Sequence, residues 1–277
     1  MFPHPEFNIF GINISAYSLL SVVGMLFCVA VFYGLARYRK MLKDDLFYMS
    51  LSAIIGLLVG AHILFGITRI PATIDEIKLL SETSSERSFN TVLQIIFENW
   101  NGMVFYGGLL GAIFAITAYC RKNHLDTFRY MDLYVPIFPL FHAFGRVGCF
   151  FAGCCYGIEC SIGYTHTHTN GYTVTRFPVQ LLEAGLNLML LAAILFLFFK
   201  GKAKGRLLPV YLLVYSVIRF CDEFLRGDEI RGKFLVFSTS QWISILLFAV
   251  AIILFLRPQW LRPVFYRRSK KPKTARE

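Results

Sequence analysis

Charge is scarce in this chain. Asp, Glu, Lys and Arg make up 16% of its 277 residues, against about 25% in soluble domains. With 56% hydrophobic residues and a mean hydropathy of +0.56, the composition excludes an ordinary water-soluble globule. The first fifteen residues hold no Lys or Arg. They therefore lack the basic n-region of a cleaved secretory signal, no small-residue cleavage site follows, and the first apolar run is expected to stay in the mature protein. No internal repeat is visible, which argues against the paired-repeat build of many transporters. A C-x2-C zinc knuckle is missing too. The seven Cys, at 28, 120, 149, 154, 155, 160 and 221, stand mostly in or beside apolar runs, which excludes a secreted disulfide scaffold.

What is present in quantity is apolar length. Runs near 14–36, 46–68, 102–120, 131–157, 178–199, 207–226 and 241–256 approach the roughly 20 helical residues that a bilayer core requires. The expected fold is an all-α integral membrane protein of about seven transmembrane helices. Its 28 Phe, 14 Tyr and 3 Trp supply lipid-facing bulk and interfacial belts. One polytopic membrane domain is expected over 1–261, followed by a basic tail over 262–277.

The net charge of +11 does not mark a nucleic-acid binder, because the basic residues fall in short clusters between apolar runs. The connections after spans one, three and five carry Arg37, Arg39, Lys40 and Lys43, then Arg121, Lys122 and Arg129, then Lys200, Lys202, Lys204 and Arg206. The tail adds eight more, from Arg257 to Arg276. The opposite side has only Arg69, Lys78, Arg87, Arg176, Arg226, Arg231 and Lys233. By the positive-inside rule the N-terminus lies outside and the C-terminus in the cytoplasm. The outer stretches 69–100 and 158–177 are expected to carry short interfacial helices. In the second, His166 and His168 read as two solvated imidazoles, since no third metal ligand is near in sequence.

Two basic residues, Arg146 and Arg219, lie inside apolar runs. A guanidinium at that depth is costly unless it meets an anion or a water-filled cavity. On a helix Arg219, Asp222, Glu223 and Arg226 share one face, which points to a polar cavity near the outer leaflet; the bland role for such a stripe is an ion-pair ladder tying helices together. Arg146 sits in a stretch of small residues from His142 to Gly157, where a neighbouring helix or a ligand can approach the backbone. Arg is suited to two-pronged phosphate binding, and the anion a bilayer offers is a phospholipid headgroup. Gln180 and Glu183 open span five, span three carries Tyr106-Gly107-Gly108, and span two holds His62. Glu183 has two readings: a counter-ion for a buried arginine, or a catalytic group. The spacing C-x4-C-C-x4-C of Cys149, Cys154, Cys155 and Cys160 fits no standard zinc site, so these read as packing cysteines, and no metal is expected.

Taken together, Gly145-Arg146-x-Gly148-x-Phe150 with Gly153 and Gly157, Tyr106-Gly107-Gly108-Leu109-x-Gly111, Pro178-x-Gln180-Leu181-x-Glu183-Ala184 and Arg219-Phe220-x-x-Glu223-Phe224-x-Arg226 resemble the bacterial prolipoprotein diacylglyceryl transferases. The order and spacing match across nearly the whole chain. The resemblance implies a multi-pass enzyme of the bacterial plasma membrane that moves diacylglycerol from phosphatidylglycerol to the thiol of a lipobox cysteine in a prolipoprotein signal segment. Glycerol phosphate is released and a thioether is left. It implies membrane lipids as partners and no cofactor.

Carried over position by position, Arg146 matches the family's signature arginine and Arg219 its second essential arginine; Tyr106 and Glu223 join them in the implied catalytic set. Tyr17, His62, Gly107, Gly108, His142, Cys149, Gly157, Gln180, Glu183 and Arg226 form the implied substrate-binding set. The chain is a divergent member by this measure. Tyr106 stands where His is usual, His62 where Arg is, Cys149 and Ala152 where Asn is, and Cys154 where Glu is. Tyr106, His62, His142 and Glu183 all remain candidates for the base that would take the thiol proton. Two alternatives share the lipid site: a paralogue with another acceptor, and a lipid-binding or transport protein without catalysis.

Overall fold

In a bilayer every backbone N–H and C=O must be bonded within the protein, so long apolar runs become helices. The computed structural model describes residues 6–9, 12–41, 44–83, 89–100, 102–167, 172–227, 233–234 and 236–256. In chain order these form strands β1 (Glu6–Ile9) and β2 (Ile12–Ser15), helices α1 (Ala16–Tyr38), α2 (Asp44–Thr83), α3 (Phe89–Trp100), α4 (Phe105–Lys122), α5 (Thr127–Tyr134) and α6 (Ile137–Phe151), strands β3 (Glu159–Thr167) and β4 (Thr173–Arg176), helices α7 (Val179–Lys200) and α8 (Leu207–Asp222), strands β5 (Lys233–Phe234) and β6 (Phe237–Ser238), and helix α9 (Thr239–Leu256). The expected tail 262–277 lies outside the described residues, as do His168 and Arg231.

The all-helical membrane class is observed. Among the described residues five helical stretches are long and apolar enough to cross a bilayer, and the number rises to six when α3 and α4, bent by 88°, are counted together as one span. The seventh expected span, 207–226, is only 16 residues of α-helix in α8, followed by a 3-10 turn at Glu223–Leu225. Its outer end is occupied by Arg219, Asp222 and Glu223, which shortens the apolar part. Large apolar side chains point outward along the spans, with Leu26 64%, Phe47 69% and Phe114 75% exposed. That is a lipid-facing surface, not a water-facing one.

The two outer stretches differ from each other. Most of 69–100 is helical, since α2 continues through Pro71 to Thr83 and α3 follows. The stretch 158–177 instead forms the antiparallel hairpin β3–β4, with Thr165 opposite Thr175 and His166 opposite Val174. Its Thr, Tyr and Val residues favour a pleated strand over a helix, and the Thr165 and Thr175 hydroxyls lie 3.2 Å apart across the ladder.

The chain divides into two compact units, one of Met1–Met41 with Phe128–Leu261 and the other centred on Leu42–Thr127. The first holds α1 and α6–α9, in which α1 packs on α6, α6 on α7, α7 on α8 and α8 on α9. Its interior is built on Tyr211, Tyr215, Phe198, Leu207 and Leu208, all nearly inaccessible. Asp132 caps the N-terminus of α8 by accepting from the backbone N–H groups of Gly205 and Leu207, where a negative charge suits the helix dipole. At the end of α1, Arg39 donates to the Phe198 carbonyl at 2.7 Å and lies 4.3 Å over its ring.

The second unit holds α2, α3 and α4. There α2 and α4 meet backbone to backbone. A Cβ added at Gly56 would lie 2.5 Å from the Gly111 carbonyl oxygen, and one added at Gly60 would collide with the Gly107 carbonyl. Glycines four residues apart on both helices permit that approach.

Candidate active site

His142 and Arg146 are four residues apart on α6 and so share a face. Opposite them, one turn into α7, stands Glu183. Arg146 Nη2 lies 2.9 Å from Glu183 Oε1, and Arg146 Nε donates to His142 Nε2 at 3.1 Å. The same His142 nitrogen is 3.3 Å from Glu183 Oε1. An arginine N–H can only donate, so His142 Nε2 is the acceptor in its contact with Arg146. Arg146 therefore holds both neighbours with one planar fork. Glu183 and His142 are buried, at 1% and 5% exposed, and the Arg146 side chain is 12% exposed. The His142 ring packs 5.4 Å from that of Tyr215, itself stacked on Tyr211. Asn187, a turn further along α7, donates to the Glu183 carbonyl.

The charged stripe of α8 closes the other side. Arg219 Nη2 lies 2.8 Å from Glu223 Oε2 and donates to Ser240 Oγ of α9 at 3.2 Å. Arg219 and Asp222 are 3% and 2% exposed. Glu183 is within electrostatic range of both Arg146 and Arg219, and Asp222 of those two and of Arg226. The two guanidiniums thus belong to one cluster of charges. Within it, Arg219 Nη1 and Asp222 Oδ2 make no hydrogen bond among the described residues. A buried donor without an acceptor is rare in a finished core, and is what an anion site requires before its anion arrives.

Main-chain bonds hold this end of the bundle together. Gly157 pairs with Arg226 as an isolated antiparallel bridge, Ile158 N donates to Leu225 O at 3.0 Å, and Gly227 N donates to Tyr156 O at 3.0 Å. Phe177 N donates back to Ile158 O. A Cβ at Gly157 would run into the Phe177 carbonyl, so the crossing of these three segments accepts only glycine. Gln180 adds a side-chain tie, its Nε2 donating to the Cys154 carbonyl at 2.8 Å. Arg176 lies 4.2 Å over the Tyr156 ring and 3.2 Å from Glu159.

Tyr17, in the first turn of α1, lies against Gly148, where an added Cβ would sit 2.9 Å from the Tyr17 ring. Beyond Gly148 the chain leaves α6 through left-handed Gly153 (φ 63°) and Cys155 (φ 59°). These turns bring the sulfurs of Cys149, Cys154 and Cys155 within 4.8 Å of one another. Cys160 stands apart, its thiol donating to the Ile162 carbonyl at 2.8 Å.

The remaining sequence-derived candidates lie in the second unit. Tyr106 and Gly108 are buried on α4, Gly107 is in backbone contact with Gly60 of α2, and His62 is on an exposed face of α2. In the first unit, Tyr215, Asn187 and Ser240 are members of the charged cluster that residue type and spacing did not single out. Only Asn187 left a signal, as a lone amide four residues after Glu183 in an apolar helix.

Residues 6–257 match the family described as prolipoprotein diacylglyceryl transferase. Among curated relatives, the phosphatidylglycerol–prolipoprotein diacylglyceryl transferase of Clostridium tetani is 30% identical over 253 residues, covering 90% of this chain and 95% of that protein. The enzyme named phosphatidylglycerol–prolipoprotein diacylglyceryl transferase 2 in Clostridium perfringens is 32% identical over 256 residues, covering 90% and 92%. That of Dechloromonas aromatica is 30% identical over 276 residues, covering 92% and 97%.

Proposed function

The chain belongs to the prolipoprotein diacylglyceryl transferase family, and from that premise we propose that it transfers diacylglycerol from phosphatidylglycerol to the lipobox cysteine thiol of a prolipoprotein in the bacterial plasma membrane. The observation that carries the reading is the buried cluster of Arg146, Arg219, Glu183 and Glu223 inside a matched span of 6–257.

The reaction breaks a glyceryl carbon–oxygen bond and leaves its electron pair on a phosphate oxygen, so the step is limited by how well that oxygen is stabilised. Preorganised donors in a dry site do this most effectively. In the resting protein each arginine is held by one carboxylate, Arg146 by Glu183 and Arg219 by Glu223. Arg219 Nη1 keeps an unused donor. A phosphodiester entering the cluster would meet guanidiniums already oriented, at little reorganisation cost.

An apolar groove of about 270 Å³ runs along the same two helices, from Leu186 and Ile218 to Leu197 and Val210. Its upper end lies next in sequence to Arg219 and one turn from Glu183. An acyl chain laid there would have its headgroup at the arginines, which supports a glycerophospholipid as the donor.

The test is turnover. Purified protein with phosphatidylglycerol and a lipobox peptide is expected to release glycerol phosphate and yield a thioether-linked diacylglyceryl peptide, with no product from the Ser-for-Cys peptide. Glycerol phosphate without lipidated peptide would instead favour a paralogue with another acceptor. Bound phosphatidylglycerol without turnover would leave a lipid-binding protein.

A further inference from the structure

We propose that Cys149, Cys154 and Cys155 form a three-thiolate site for a soft metal ion of the zinc class, whose open fourth position takes the acceptor thiol. The sequence spacing lacks a knuckle, but the fold supplies what the spacing does not. Cys149 is on the last turn of α6, and the left-handed conformations at Gly153 and Cys155 turn the chain back on that helix end. A left-handed Cys costs about 1 kcal/mol or more, and here it brings the three thiols together, with Cys154 Sγ donating to the Cys149 carbonyl at 3.7 Å. Three sulfurs on a tetrahedral zinc lie about 3.8 Å apart, given zinc–sulfur distances of about 2.3 Å. These three are already within 4.8 Å, so closing the triangle asks only for small rotations about the Cα–Cβ bonds.

Charge and coordination number point the same way. Three thiolates around a divalent ion carry a net charge of minus one, and the guanidiniums of Arg146 and Arg226 are within electrostatic range of Cys155. Among the described residues no fourth Cys, His, Asp or Glu joins the group, and Cys160 is engaged elsewhere. Structural zinc sites are closed by four protein ligands, whereas reactive ones keep a position open. Cys154 is exposed and so leaves a face of the group accessible.

The second half of the proposal rests on the transferase reading and answers a need of that reaction. His142 Nε2 accepts from Arg146, and Glu183 Oε1 lies against the same guanidinium, so a proton taken by either atom would disturb the contact that orients Arg146. A thiol that binds the metal releases its proton to water and becomes a thiolate. Its sulfur then forms the bond to the glyceryl carbon, while the carbon–oxygen bond breaks with its electron pair going to the phosphate. The products are a thioether and glycerol phosphate. The thioether is a poor zinc ligand, and its departure reopens the position. No oxidant or reductant enters.

Cobalt(II) is the probe. Added to reduced, metal-free full-length protein in detergent, it is expected to give a thiolate-to-cobalt charge-transfer band. The band should fall in Cys149→Ser, Cys154→Ser and Cys155→Ser and persist in Cys221→Ser, with gel filtration confirming that each variant is folded. No band, a band indifferent to those three substitutions, or a Cys149–Cys155 disulfide in place of metal would overturn the site. A lipobox peptide should shift the band and its Ser variant should not, a result read without turnover. If the shift appears but no glycerol phosphate forms, the metal proposal stands and the transferase reading falls. If the zinc-free protein transfers at full rate, the transferase stands and the metal's role is refuted.

Discussion

Lysine in place of Arg146 or Arg219 would keep the charge and lose the planar fork. At Arg146 the fork joins His142 and Glu183 through two different nitrogens, and at Arg219 one nitrogen reaches both Glu223 and Ser240. A lysine has one nitrogen, so at position 146 it cannot reach both partners in one plane, and at position 219 it deletes the Nη1 donor, which has no acceptor among the described residues. The expected outcome for Arg146→Lys and for Arg219→Lys is a fall in turnover of about 100-fold or more, the scale seen when one transition-state donor is removed, with near-normal yield of folded protein. Glu183→Ala should behave differently. It leaves a buried guanidinium without its anion, a loss of about 3–5 kcal/mol, read as a lower thermal midpoint in detergent, and Glu183→Gln should recover part of it. An unchanged midpoint for Glu183→Ala would refute its part in holding Arg146. The buried charges were legible in the sequence because Arg146, Glu183 and Arg219 interrupt apolar runs. That Arg146 meets Glu183 was not, since it depends on helices brought together from distant parts of the chain, whereas Arg219 and Glu223 share a helix face at i, i+4. Tyr215 and Ser240 were illegible for a plainer reason: tyrosine and serine are ordinary in membrane helices.

The helices were legible to different degrees, and the differences have physical causes. Spans α1, α7 and α9 coincide closely with their apolar runs because the bilayer demands both length and hydropathy. The extension of α2 through Arg69 to Thr83 leaves the apolar run behind, so hydropathy carries no record of it. The hairpin β3–β4 was hidden behind a polar composition that helix, strand and loop all tolerate. The turn that gathers the cysteines depends on a left-handed Cys155, a conformation residue type does not announce. The glycine contact of α2 with α4 gives the sharpest test at this scale. A methyl at Gly60 would meet the Gly107 carbonyl and lie 2.9 Å from Gly111 Cα, with only backbone to give way, whereas one at Gly34 of α1 meets nothing within 4 Å. Gly60→Ala should therefore destabilise the protein by about 1–3 kcal/mol through overpacking, seen as a lower unfolding midpoint. Gly34→Ala should leave the midpoint unchanged or slightly higher, as helix propensity favours alanine. Equal effects of the two substitutions would mean that close packing at Gly60 is not what joins α2 to α4.

For the molecule as a whole the distribution of basic residues predicts a direction in the membrane. The connection 201–206 follows α7 with Lys200, Lys202, Lys204 and Arg206, while the hairpin that precedes α7 has Arg176 alone, paired with Glu159. A single helix separates these two segments, so they must face opposite sides of the bilayer. Translocating a cluster of four cations is the costlier alternative, and the cluster therefore stays inside. Lys202 and Tyr172 suit a labelling test because both are exposed, and Arg39 does not, since its guanidinium is fixed to Phe198. With the accessible native cysteines replaced, Tyr172→Cys should react with a membrane-impermeant maleimide in intact spheroplasts. Lys202→Cys should react only after permeabilisation. The reverse pattern would invert the protein and place the ends of α7 and α8 that carry Glu183 and Arg219 at the cytoplasmic face. A transferase acting on signal segments already carried across the membrane would then have its arginines on the wrong side, so this one measurement bears on the proposed reaction as well as on the topology.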